Sequence, residues 1–263
     1  MTTSNLDFEA RNIQWLEFEL SNQCHYTNAH EWCPRHCLGN APKVRLPTSA
    51  IERTVEFFTH YDFSGSVYFS IYNEPLMDER IFDLIRYVKG KLPKCLVQMF
   101  TNGVELNDET ATKLAEAGLG ILWISVYPEQ QGRDFGPLVE KMKALGLHAV
   151  PVNRFNCISY SGYGYDERVG IYGRNVGNRT PCYMPIQYFL VTCNGDVMLC
   201  WDDWKATVTF GNVVSDDIAS ILTNPQRLEK IAALKLGHRD GVCVGCGRPT
   251  ELCIMEYRDR LKL

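Results

Sequence analysis

The segment WLEFELSNQCHYTNAHEWCPRHC (residues 15–37) decides how this chain is read. WLEFELS (15–21) has the apolar, β-prone character of a strand. It runs directly into a loop that carries Cys24, Cys33 and Cys37. Downstream, one alternation repeats. A helix from about Ser49 to His60 precedes a strand at SVYFSIY (66–72), and an amphipathic helix spans Asp78 to Lys91. CLVQMFT (95–101) is a strand, followed by a helix from Asp108 to Ala117, a strand at ILWISVY (121–127), a helix from about Phe135 to Leu145 and a strand at HAVPVNR (148–154). Strands alternating with helices predict right-handed βαβ units and a parallel sheet. The expected class is α/β, a partial, TIM-like (β/α) barrel. Such folds place their active sites at the C-terminal ends of the strands, which is where the first cysteine loop falls.

The pattern then changes. Residues 156–181 are rich in Gly, Tyr, Asn and Arg and read as an irregular segment. IQYFLVTCNGDVMLCW (186–201) carries Asn194-Gly195 between two apolar runs, a strong hairpin signal. Two short helices are expected near 217–223 and 225–236, before Cys243-x2-Cys246 and a charged tail. The chain is therefore divided into a partial barrel, 1–155, and a small C-terminal domain of hairpin and helix, 156–263.

Composition narrows the function. A chain of 263 residues with 45% apolar content can build a substantial core. The net charge of −4 and the lack of a Lys/Arg block give no footprint for nucleic acid. The polar N-terminus has no signal-peptide core, and no apolar run is long enough to span a membrane. A cytoplasmic protein is expected. There, clustered cysteines read as metal ligands or redox groups before disulfides.

The eleven cysteines contain two such groups. Cys24-x8-Cys33-x3-Cys37 supplies three thiolates, enough for three irons of a 4Fe–4S cluster with the fourth iron left open. Zinc is the rival, because His25, His30 and His36 are close by. Cys182, Cys200, Cys243 and Cys246 supply four thiolates, which suits a closed second cluster or a zinc ribbon.

Further motifs bring a resemblance. Tyr72-Asn73-Glu74-Pro75 ends the second strand, Thr101-Asn102-Gly103 ends the third, and His36 precedes the last cysteine of the first group. In this order the chain resembles the radical S-adenosylmethionine (SAM) enzymes, although that family usually spaces its three cysteines x3 and x2. The resemblance implies that Cys24, Cys33 and Cys37 hold the SAM-binding cluster. It implies that Glu74 and Asn73, in place of a Gly-Gly-Glu-Pro-like segment, bind the SAM amino group, with His36, Asn102 and Ser125 also around SAM. The second group, with Asn194-Gly195-Asp196 and Phe210-Gly211-Asn212-Val213, resembles the twitch domain, a short SPASM extension. That resemblance implies an auxiliary 4Fe–4S cluster on Cys182, Cys200, Cys243 and Cys246. An external one-electron reductant of flavodoxin or ferredoxin type is the expected partner.

The layout also resembles the aminoglycoside-pathway epimerases and aminocyclitol dehydrogenases of this family. By that resemblance, Cys253 would return a hydrogen atom in an epimerase that inverts a sugar carbon of a neomycin-type aminoglycoside. Arg168 would handle the substrate hydroxyl in a dehydrogenase of an aminocyclitol alcohol. The epimerase is the leading expectation and the dehydrogenase the alternative. The epimerase's substrate would be a polycationic small molecule, and Asp202 and Asp203, beside Cys200 and two tryptophans, are candidate contacts for its amines. Cys95 lies in a strand and reads as core. A zinc-stabilised binding module and a peptide-modifying enzyme of the same family are the remaining readings.

Overall fold

The computed structural model describes residues 3–26, 33, 41–130, 132–153, 179–244 and 246. A polar helix, α1 (Thr3–Asn12), leads into β1 (Trp15–Phe18). Then follow α2 (Thr48–Thr59), β2 (Ser66–Tyr68), a 3-10 turn at Pro75–Met77, α3 (Ile81–Lys91), β3 (Leu96–Thr101), α4 (Asp108–Ala117), β4 (Ile121–Val126), α5 (Gly136–Ala144) and β5 (His148–Asn153). The C-terminal part contributes a short turn of helix, α6 (Met184–Gln187), then β6 (Tyr188–Val191), β7 (Asp196–Met198), β8 (Thr209–Asn212), α7 (Ile218–Leu222) and α8 (Pro225–Lys235).

All eight strands form one sheet in the order β5-β4-β3-β2-β1-β6-β7-β8. β1 lies between β2 and β6 and pairs parallel with both, Leu16 standing opposite Val67 on one side and Phe189 on the other. β2 to β5 continue in parallel, and β7, joined to β6 through the Asn194-Gly195 turn, pairs antiparallel with both β6 and β8. This is a partial, open α/β barrel. The sheet runs unbroken across the division expected near residue 155, because β6 belongs to the barrel and carries the hairpin on its far edge.

Sequence periodicity explains which face points where. Leu16, Phe18, Val67, Phe69, Val97, Met99, Leu122, Ile124, Phe189 and Val191 are fully buried. The Phe58 ring of α2 meets that of Phe189, so this set faces the helices. Each such side chain contributes roughly 1.5–3 kcal/mol by leaving water. The alternate residues therefore face the barrel interior, and they are unusually polar and aromatic. Trp15 stacks on Tyr188 at 4.4 Å, and the Trp123 indole donates to Gln98, whose amide donates to Ser66. Phe100 stacks between Tyr68 and Trp123.

Helix ends follow local chemistry. The Asn107 side chain accepts the N–H groups of Glu109 and Thr110 at the start of α4, and Gly118, with φ 92°, ends it. Asn224 caps α8 in the same way, with Pro225 at the first helical position. α1 and β8 are additions to the expected elements.

Candidate active site at the strand ends

The loops after β1, β2 and β3 converge on one side of the sheet. After β1, Ser21 bridges to Arg45, and the Gln23 carbonyl receives the N–H of Glu74 at 2.7 Å. Glu74 is only 2% exposed. Its Oε1 accepts the Thr101 hydroxyl at 2.7 Å and the Leu76 N–H at 3.1 Å, and its Oε2 accepts the Asn102 N–H at 2.6 Å. Burial pushes its carboxyl up, while the Asn102 N–H and the Thr101 hydroxyl pull it back. Glu74 thus ties the end of β2 to the end of β3.

Asn102 sits at the centre of this arrangement. Its Oδ1 accepts the Val104 N–H at 2.9 Å, and its carbonyl accepts the Gln130 side chain. Its Nδ2 lies 3.6 Å from the Cys24 sulfur and 3.4 Å from His25 Nδ1. His25 Nε2 reaches Glu105 at 2.9 Å. Gly103 makes the turn possible: it has φ 72°, and an added Cβ would lie 2.9 Å from the Phe135 ring.

Asn73 holds its own loop. Its amide donates to the Phe69 carbonyl and its Oδ1 accepts the Ile71 N–H, both at 3.1 Å. Ser125 is buried near the end of β4, on the inward face set by Trp123. Cys33 is half-buried in a bend. His36, Cys37, Arg168 and Cys253 lie outside the described residues.

Tyr72 joins this site to the C-terminal cysteines. Its hydroxyl donates to the Trp201 carbonyl, next to Cys200. Burial pushes this phenol well above its ordinary range, helped by the negative influence of Asp202, Cys200, Cys33 and Glu19. Members of both cysteine groups thus lie within electrostatic reach of one hydroxyl. The Trp201 indole donates to Glu17 Oε2 at 2.5 Å and meets Tyr188 edge-on at 4.8 Å. Glu17, on the inward face of β1, and Glu19, just after its end, are buried carboxylates. Glu19 accepts the Cys193 N–H at 3.1 Å.

In the second group, Cys200, Cys243 and Cys246 are buried and Cys182 is half-buried. The Cys182 N–H bonds to the Leu234 carbonyl and the Cys246 N–H to the Cys243 carbonyl, so helix α8 and the final knuckle place these residues. Among the described residues, no three His, Cys, Asp or Glu side chains converge on a single metal ion. A cubane asks for something different, since it spreads its thiolates over separate corners. A set of thiols with three of its four members buried suits that chemistry.

One expected contact is corrected. Asp203 is 0% exposed and turned into its own loop. Its Oδ1 accepts the Thr207 N–H at 3.0 Å and the Thr207 hydroxyl, and its Oδ2 accepts the Val208 N–H at 2.8 Å. It shapes the loop and offers no exposed edge to a ligand. The buried carboxylates Glu17 and Glu19 had gone unread, although WLEFELS shows them alternating with Leu16, Phe18 and Leu20.

Residues 182–247 match SPASM, described as an iron–sulfur cluster-binding domain, and the match contains Cys182, Cys200, Cys243 and Cys246. The chain is 22% identical over 237 residues to the S-adenosyl-L-methionine-dependent 2-deoxy-scyllo-inosamine dehydrogenase of Niallia circulans, covering 88% of this chain and 91% of that one. The fold is similar to the crystal structure of BtrN in complex with AdoMet and 2-DOIA, with a TM-score of 0.71, 20% identity and coverage of 90% and 93%. It is also similar to Streptococcus suis SuiB bound to precursor peptide SuiA, with a TM-score of 0.59, 12% identity and coverage of 92% and 76%. The chain therefore joins residues that match an iron–sulfur cluster-binding domain to a partial-barrel fold similar to that of BtrN.

Proposed function

We propose that this protein is a radical SAM dehydrogenase that oxidises an alcohol of a small aminated cyclitol or sugar. The single observation that carries the reading is the barrel interior. Its inward-facing side chains are polar and aromatic and include the buried carboxylate of Glu17, with that of Glu19 just beyond β1. A substrate with a ring, hydroxyls and ammonium groups matches that lining. Likeness to a dehydrogenase along most of the chain favours oxidation over the epimerisation expected first.

In this reading Cys24, Cys33 and Cys37 hold the SAM-binding cluster, and Cys182, Cys200, Cys243 and Cys246 hold the auxiliary one. When bound, these groups would supply hydrogen-atom abstraction from a carbinol carbon and an acceptor for the electron left as the hydroxyl proton leaves. The chain's own contribution is placement. Glu74 and Asn102 hold the loops where SAM would lie. Trp201, next to Cys200, is fixed through its indole by Glu17 and through its carbonyl by Tyr72. Glu17 offers a substrate ammonium a charge partner in a site of low dielectric. By the resemblance, Arg168 is assigned to the reacting hydroxyl.

The test is an anaerobic reaction of the reconstituted protein with SAM, a strong one-electron reductant and an aminocyclitol. Release of deoxyadenosine together with a product lighter by two hydrogens supports the reading. A product of unchanged mass that carries one solvent hydrogen on carbon would favour epimerisation and a donor role for Cys253. A protein that takes up zinc and no iron would end both.

A further inference from the structure

The side chain of Asn102 has a fixed orientation. Its Oδ1 is held by the Val104 N–H at 2.9 Å, so the amide nitrogen must face the other way. That nitrogen carries two hydrogens. One is directed at the Cys24 sulfur, 3.6 Å away, and the other at His25 Nδ1, 3.4 Å away. With Nδ1 accepting, His25 presents Nε2–H to Glu105. The backbone of Asn102 is pinned from both sides, by Glu74 and by Gln130. An N–H donor buried beside a cysteine and held this firmly does more than fill space.

We propose that Asn102 is a positioning residue that sets the reduction potential of the cluster bound by Cys24. This rests on the cluster reading above. The physical reason is simple. Reduction adds negative charge to the cluster and its thiolates, and a hydrogen bond to a ligating sulfur favours the more negative state. The same residue receives Glu74 through its backbone N–H, so the loop proposed to hold SAM and the sulfur of Cys24 share one support.

The test is potentiometry with EPR detection on the reconstituted full chain, comparing wild type with Asn102→Leu and Asn102→Asp. Adding SAM marks the open cluster, because only its spectrum responds. Both variants keep the backbone bonds to Glu74 and Gln130, and Asn102→Asp also keeps an acceptor for Val104. The reduction equilibrium of the SAM-responsive cluster should fall about tenfold in Asn102→Leu, a shift of about 59 mV for one electron. It should fall further in Asn102→Asp, where a negative charge replaces the donor. An unchanged potential in Asn102→Leu overturns the inference while leaving the proposed function intact. A folded variant that binds no iron at all would also overturn it, replacing tuning with a role in cluster assembly. A wild type without iron would overturn both readings together.

Discussion

The Arg227 guanidinium donates to the Glu9 carboxylate at 2.6 Å in the interior, across 218 residues of chain. Arg227 also donates to the carbonyls of Leu222 and Pro185, at 2.8 and 2.7 Å, and is 1% exposed. Burial lowers its pKa, and Glu9 opposes that shift. The pair fastens α1 to α8, and the bond from Arg227 to Pro185 ties α6 to them.

Replacing Arg227 alone leaves Glu9 charged and unpaired in the interior. Arg227→Met is expected to lose about 3–5 kcal/mol in urea unfolding. The double variant Glu9→Leu/Arg227→Met should recover most of that loss, since no buried charge remains. A double variant as unstable as the single would show that packing around Arg227, and not its charge, carries the effect.

Glu74 and Asp78, four residues apart, have opposite pH behaviour. Burial raises Glu74 above its ordinary value of 4.5, so the folded protein holds that proton more tightly than the unfolded chain. Its contribution should therefore fall as pH rises from 4.5 through its raised value. Glu74→Gln removes that slope. It also turns an amide N–H toward the donors of Thr101, Leu76 or Asn102, costing about 1–3 kcal/mol. Thermal unfolding across this window checks both statements.

Asp78 is lowered from 3.8 to about 2: burial pushes it up, but hydrogen bonds from Arg80 and Arg45 more than offset this. Its stabilisation is present above 3.8 and lost as pH falls toward about 2. Arg80 also reaches the Leu46 carbonyl and the Thr48 hydroxyl, so Asp78 anchors the entry to α2. Asp78→Asn should cost about 2 kcal/mol near neutral pH. The gap to wild type should close in acid, and a constant gap would place the effect elsewhere.

Much of the fold was legible because periodicity reports burial. The parallel strands and their helices follow from apolar runs, and α4 matched to the residue because Asn107 and Gly118 mark its ends. α1 escaped because its sequence is mostly polar and its ion-pair partner, Arg227, lies 218 residues away. In the site, the Glu74–Asn102 loops were legible as motifs. Asn73 was legible in the same way, from its place before Glu74 and Pro75, but the bonds of its side chain to the Phe69 carbonyl and the Ile71 N–H leave no mark in the sequence. Glu17 was missed because a charge inside a strand is read as solvated until the opposite face is known to pack on helices. Sequence order also cannot show that Tyr72 bonds to Trp201, which lies 129 residues away.

Asp203 gives the sharpest separation between a ligand contact and a structural acid. Its two oxygens serve Thr207 and Val208, closing a local turn in which Ala206 adopts φ 50°. Asp203→Ala removes the acceptor of the partly buried Thr207 and Val208 donors, costing about 1–3 kcal/mol in all. Its expected signature is a lower unfolding temperature and faster amide exchange over residues 203–208, whether or not substrate is present. Glu17→Gln should behave in the opposite way. It keeps an acceptor for the Trp201 indole, so the fold is preserved, but it removes the charge offered to an ammonium. KM for an aminated substrate should rise about tenfold or more, since a charged hydrogen bond contributes about 1.5–3 kcal/mol, while a deaminated analogue is little affected. If Asp203→Ala raised KM with no loss of stability, the lumen assignment would have to move from β1 to the loop after Cys200.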